Sequence, residues 1–209
     1  MSLFISIEGF DGTGKSTQAS ILKKNLDDLS IDSILVREPG STHFSEKIRE
    51  ILKENTEIDT LTELLLFQAS RSELVKKVII PNLEIGKIVI TDRFSDSSVA
   101  YQGYGGGLDI KLIETLNNIS TSNLKPHLTF LLDLKLESSK ERTFLRNNNE
   151  QIDKFEKKDS IFHKKVKEGF LEILKNNNDR FIKVDASKSI DEISDLILKT
   201  VIEKINEAV

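Results

Sequence analysis

Nine residues near the start, Gly9-Phe10-Asp11-Gly12-Thr13-Gly14-Lys15-Ser16-Thr17, have the spacing G-x-x-x-x-G-K-[ST], a loop that wraps a chain of phosphates. Gly9 and Gly14 let the backbone curl with its N–H groups turned inward, where side chains would block the cradle. Lys15 can then reach β- and γ-phosphates, and the Ser16 hydroxyl can ligate Mg²⁺. The chemistry this segment points to is capture of a nucleoside triphosphate.

Other charged residues recur where a phosphate chemistry could use them. Arg37, in Arg37-Glu38-Pro39-Gly40-Ser41-Thr42, and Arg49 in the next helix carry guanidinium forks suited to clustered anionic oxygens. Asp92 can orient hydrated Mg²⁺, and Arg93 beside it can hold a transferring phosphate. Phe67 and Arg71 stand four residues apart on one helix face, a ring and a guanidinium that could form a platform for a base. Among Leu64, Leu65 and Leu66, Phe67 also fits a core position.

These residues need a frame, and the hydrophobic pattern supplies one. Short apolar runs at 3–7, 33–36, 87–91, 128–132 and 181–184 alternate with helical stretches around 15–29, 43–54, 60–84, 109–120, 136–146, 159–176 and 189–206. That alternation predicts an α/β fold: a five-stranded parallel sheet flanked by helices on both faces, three layers in one domain over 1–209. Ligands of such sheets sit at the carboxyl ends of the strands. Residues 8–17, 37–42, 92–107 and 133–156 are therefore expected to converge. The polar stretch from Arg146 to Lys154 reads as part of a mobile lid at about 146–156, or else as a disordered connection.

Composition narrows the classes. The 209 residues carry a net charge of −4, with no block of basic residues of the kind that marks a nucleic-acid surface. Without cysteine there are no disulfides and no thiolate metal sites. The opening apolar stretch is too short for a signal peptide or a membrane span, so a cytoplasmic protein with neither nucleic-acid nor membrane partners is expected. His43 and His163 lack partners at metal-ligand spacing and read as surface or structural residues. Asp133 reads as a helix cap or loop-positioning group.

Taken in order, Gly9-to-Thr17, Arg37-Glu38-Pro39-Gly40, Phe67-x-x-x-Arg71, Asp92-Arg93-Phe94-x-Asp96-Ser97-Ser98-x-Ala100-Tyr101-Gln102-Gly103 and Asp153-Lys154-Phe155-Glu156 resemble the bacterial thymidylate kinases, over roughly residues 3–184. The block from Asp92 to Gly103 is the most specific part. The resemblance implies a P-loop nucleoside monophosphate kinase fold and the reaction ATP + dTMP giving ADP + dTDP, with Mg²⁺ and a homodimer formed through helices around 43–84. It also implies residue roles. Asp11 would bond the sugar 3′-hydroxyl, Phe67 would stack on thymine, Arg71 would meet a thymine carbonyl and Ser98 the far edge of the base. Tyr101 would crowd the 2′ position, Gln102 would line the same pocket, Arg93 would lie between the two phosphate chains, and Arg37 and Arg49 would meet the monophosphate.

Gly12 stands where one branch of the family carries a phosphate-clamping arginine, which points to the lid-dependent branch and makes Arg142, Arg146 and Lys154 the candidate clamp. The chain departs from the pattern at four other places: Lys154, Gly105-Gly106-Gly107, His127 and Ser41. Two alternatives stand beside this reading. A deoxynucleoside kinase would leave Arg37 and Arg49 without an acceptor phosphate, and a non-catalytic nucleotide-binding switch would have no use for the lid bases.

Overall fold

The computed structural model describes residues 2–54, 57–139 and 160–207. Five strands, β1 (Leu3–Gly9), β2 (Ser33–Arg37), β3 (Ile88–Asp92), β4 (Leu128–Asp133) and β5 (Phe181–Asp185), form one sheet in the order β2-β3-β1-β4-β5. Every pairing is parallel. The register sets Arg37 beside Asp92, Asp92 beside Ile7, Gly9 beside Leu132 and Asp133 beside Asp185. One edge of the sheet thus gathers the strand ends that carry charge and the phosphate loop.

Alternation along β1 divides its side chains between two layers. Ile5 and Ile7 pack with Ala19, Leu22 and Leu26 of α1 (Lys15–Asp28) and with Ile193, Ile197 and Val201 of the C-terminal helix (Ile190–Asn206). That last helix begins with a Ser189/Glu192 capping box, which satisfies two of its first backbone N–H groups. Phe4, on the other face, packs with Leu74, Val75, Ile79 and Phe94. Its face-mates Ser6 and Glu8 are polar yet wholly buried.

Two helical regions differ from the simple expectation. The stretch 60–84 is α3 (Thr60–Leu74), a π-turn at Val75–Ile79 and α4 (Ile80–Glu84) rather than one even helix. Pro81 has no N–H and its ring would press on the carbonyl four residues back, so a wider turn precedes it. The segment 92–107, expected only as a strand-end connection, is helical as α5 (Ser95–Ser98), continuing as a π-turn at Val99–Gly105. π-turns are rare and tend to accompany functional sites, and this one carries Tyr101 and Gln102.

Further helices among the described residues are α2 (His43–Lys53), α6 (Ile110–Thr121) and α7 (Ser160–Asn176). His127, just before β4, accepts the Phe4 N–H at Nδ1 over 2.9 Å. Ser41 takes a left-handed φ of 68° and gives its N–H to Glu46 Oε1 at 2.7 Å, so side-chain bonds hold these two departures in place. Asp133 caps no helix among the described residues; it ties Lys167 at 3.0 Å and Lys183 at 2.9 Å. His163 is buried against Phe10 and Phe162, a structural position.

Candidate active site

The phosphate loop leaves β1 through Gly9 at φ 139°, where a Cβ would stand 2.6 Å from the Leu132 carbonyl oxygen. It enters α1 through Gly14 at φ 94°. Both conformations belong to glycine. Lys15, buried at the helix start, donates to the Phe10 carbonyl at 2.6 Å and lies 3.6 Å from Asp11 Oδ1. Burial, reinforced by nearby Arg93, pulls its ammonium down to about 8, although Asp11, Asp92 and Glu8 favour the charge. Phe10 contributes this carbonyl only; its ring packs with Tyr101 and Phe170 in the core.

The Ser16 hydroxyl donates to Asp92 Oδ2, while Asp92 Oδ1 is buried with no hydrogen-bond partner among the described residues. A hydroxyl beside a carboxylate with an unspent oxygen matches the hard-oxygen preference of Mg²⁺. Asp92 and Ser16 are the residues that would hold the ion.

Arg93 follows at a left-handed φ of 72°, uncommon for a residue with a side chain. Its guanidinium donates to the Gly9 carbonyl (3.0 Å), Ser97 Oγ (3.1 Å), Asp11 Oδ1 (2.5 Å) and Tyr101 Oη (3.3 Å). Burial works against this cation, but Tyr101, Asp11, Glu8 and Asp92 more than offset it and hold its pKa above the ordinary arginine value.

Arg71 is 1% exposed and spends all five N–H donors: on Glu38 (2.8 Å), Gln68 (3.2 Å), Asn117 (2.9 Å), the Phe94 carbonyl (3.3 Å) and Ser98 Oγ (3.0 Å). Burial pushes the Glu38 carboxyl up from its ordinary value even with Arg71 beside it. Gln102 donates to Glu63 at 2.9 Å. At the outer rim Arg37 is paired with Glu46 at 3.1 Å, and Arg49 donates to the Pro39 carbonyl at 2.8 Å.

Lys15, Ser16, Asp92, Arg93, Arg71, Gln102, Arg37 and Arg49 all face one cavity of about 1400 Å³. Its walls bring together residues 11–17, Arg37, Arg49, Phe67, Arg71, Asp92, Arg93, Ser98, Tyr101 and Gln102. Of the residues singled out in the sequence, Gly9 and Phe10 lie behind the wall, and Arg142, Arg146 and Lys154 lie outside the described residues. Three groups escaped sequence reasoning. Glu8 is an acid inside an otherwise apolar strand, a pattern that could have flagged it, and Glu38 follows the end of β2 in the Arg37-Glu38-Pro39-Gly40 run, where the sequence assigns it no role. Lys188, Ser189 and Ile190 line the cavity from the loop after β5, a strand end to which the same carboxyl-edge rule applies.

A phosphate-binding loop at the carboxyl edge of a parallel sheet, opening into one cavity with a second set of cations and a Phe67/Arg71 wall, defines a P-loop nucleotide phosphotransferase. Comparison with known proteins narrows the class. The thymidylate kinase family model matches residues 7–197. Thymidylate kinases of Kosmotoga olearia and Dehalococcoides mccartyi are 43% and 45% identical, covering 94% and 92% of each chain respectively. The crystal structure of thymidylate kinase from Ehrlichia chaffeensis superposes with a TM-score of 0.78 at 35% identity, covering 96% of this chain and 98% of that one. The chain belongs to the thymidylate kinase family. It is thus a phosphotransferase that phosphorylates dTMP at the expense of ATP, and neither alternative acceptor chemistry nor a switch role is favoured.

Proposed function

We propose that the γ-phosphoryl group passes between ATP seated on residues 9–17 and dTMP seated between Arg93 and Phe67. An acceptor phosphate oxygen attacks the γ-phosphorus as the bond to the β–γ bridging oxygen breaks and ADP leaves. Such a transfer asks for two anions in line and for charge neutralisation, with little covalent work by the protein. The continuity of the cavity from Lys15 to Arg71 supports this reading most strongly. Both nucleotides can share one space.

Lys15 leaves the Phe10 carbonyl for the donor's phosphates, and Arg93 lies between the two phosphate chains. Mg²⁺ held by Ser16 and Asp92 would neutralise and align phosphate oxygens. Arg142, Arg146 and Lys154 keep the clamping role of a lid about 146–156, within a single domain over 1–209. Arg37 and Arg49 serve the acceptor monophosphate. Asp11 fixes the sugar, Tyr101 crowds its 2′ position, and Phe67 stacks on the base beside Gln102. Since Arg71 uses every donor, a thymine carbonyl would share a donor already engaged. Ser98, which accepts from Arg71, keeps its own proton for the base.

Exposed Phe44 and Ile51 on α2, with Leu61 and Leu65 on the adjoining α3, support a homodimer through this face. Two water-borne nucleotide substrates support a cytoplasmic setting. The test is ADP formation with Mg²⁺ and ATP, offering dTMP, dUMP, thymidine, AMP and GMP separately, with Lys15→Ala as control. Turnover is expected with dTMP well above the rest and lost in the variant. Turnover with thymidine, or none with any acceptor despite ATP binding, would overturn the assignment.

A further inference from the structure

Glu8 is fully buried in β1, next to the phosphate loop, and its two shortest bonds lead toward Arg93. Its Oε1 accepts the Phe94 N–H at 2.7 Å and the Ser6 hydroxyl at 3.3 Å; its Oε2 accepts the Ser97 hydroxyl at 2.6 Å. Ser97 has a single hydrogen, and giving it to Glu8 turns the Ser97 lone pairs toward the Arg93 guanidinium 3.1 Å away. The guanidinium can only donate, and the carboxylate keeps the Ser97 proton out of its way.

The same acid also pins the backbone that aims Arg93. The left-handed turn at residue 93 is held on three sides: its N–H reaches the Ile7 carbonyl at 3.1 Å, its carbonyl accepts the Thr91 hydroxyl at 2.7 Å, and the next N–H goes to Glu8. A residue with a Cβ stays in such a conformation only where its surroundings over-determine it, and this kind of strain clusters at functional sites. Asp96, the other acid near Glu8, is paired with Arg180 by two bonds at 2.8 and 2.9 Å, and Arg93 is the cation that most favours the Glu8 charge. A buried acid that served only folding could be satisfied anywhere; beside the Ser6 hydroxyl, this one takes the turn and the hydroxyl that hold one arginine.

We infer that Glu8 is a positioning residue for phosphoryl transfer, fixing the left-handed turn and the aim of the Arg93 guanidinium through the Phe94 N–H and the Ser97 hydroxyl. The inference rests on the placement of Arg93 between the phosphate chains proposed above. Glu8 itself touches neither nucleotide, so its effect belongs in kcat.

The test is a kinetic cycle on the full chain: native, Glu8→Gln, Ser97→Ala, Arg93→Ala and the two doubles that combine Arg93→Ala with each of the others. Each is assayed for kcat and for KM of ATP and dTMP, with thermal unfolding as a check on folding. Arg93→Ala is expected to lower kcat by about 10²–10³-fold. Glu8→Gln and Ser97→Ala are each expected to lower kcat by about tenfold or more, at little change in either KM, because a misaimed group loses rate rather than binding. Each double variant should be no slower than Arg93→Ala alone. Additive losses, or losses confined to KM, would overturn the inference, since both mean that Glu8 acts otherwise than through Arg93. An Arg93→Ala enzyme with native kcat would overturn the placement of Arg93 and the inference with it; a slow Arg93→Ala beside a native Glu8→Gln would overturn the inference alone. Should Glu8→Gln fail to fold, Ser97→Ala with its double carries the same cycle.

Discussion

The two ends of the cavity hold their cations in opposite ways. At the phosphate end, Lys15 rests on a backbone carbonyl, and Arg93, aimed by Gly9, Ser97 and Tyr101, also leans on Asp11; the carbonyl and Asp11 are partners that an incoming phosphate can replace. At the base end, Arg71 is sealed among five acceptors on Glu38, Gln68, Asn117, Phe94 and Ser98. A moving charge needs cations that can change partners, whereas a flat, uncharged base needs a wall that does not shift. Low exposure alone tells little: Lys15 and Arg71 are both buried, yet only one is exchangeable.

If that contrast holds, Arg71→Ala acts first on stability. Removing one member of a buried pair strands Glu38, which costs about 3–5 kcal/mol, and denaturant unfolding should show a loss of that order. A loss near zero would break the idea of a sealed base end. Lys15→Ala should do the reverse: kcat/KM falls by about 10²–10³-fold while the unfolding midpoint hardly moves. A large stability loss there would make both ends structural and erase the distinction.

Phe67→Ala comes next in size. Base stacking on an aromatic ring is worth about 1–3 kcal/mol, so KM for dTMP should rise about tenfold or more, with kcat at saturation little changed. An unchanged KM would return Phe67 to the core role its leucine neighbours allow. The smallest effect is a pH slope. Burial, then the Asp96 charge, raises Glu8 from 4.5 to about 7, with Arg93, Ser97 and Phe94 opposing. Between those values the folded chain binds a proton that the unfolded chain has released, so the Glu8 contribution is present below 4.5 and is lost as pH rises through 7. The stability of the native chain relative to Glu8→Gln should therefore decline from pH 4.5 to 7, and parallel pH curves would refute it.

The contrast also explains what the sequence could disclose. The phosphate loop is legible because nine adjacent residues make it, and backbone geometry fixes which types can stand there. The order of strands and helices was legible for a similar reason, since each apolar run reports its own element. The base end was not. Arg71 meets Glu38 and Asn117 across 33 and 46 residues of chain, and no local pattern links them. Glu8 was hidden by position: an acid in an apolar strand reads as an interruption until the turn at Arg93 folds over it. The π-turn at Val99–Gly105 left no periodic trace, because its side chains follow neither the helical nor the strand repeat.

The saturation of Arg71 reaches beyond stability, to which pyrimidine can enter. With a base seated on Phe67 as proposed, the edge opposite Arg71 meets N–H groups and the Ser98 proton. A carbonyl there can join an existing bond as a second acceptor. An exocyclic amine in the same place would press hydrogen against hydrogen on Arg71, which has no acceptor, and Ser98 Oγ, already accepting from Arg71, would have to turn its proton away to receive it. The pocket would then refuse cytosine through repulsion, with no residue dedicated to recognising it.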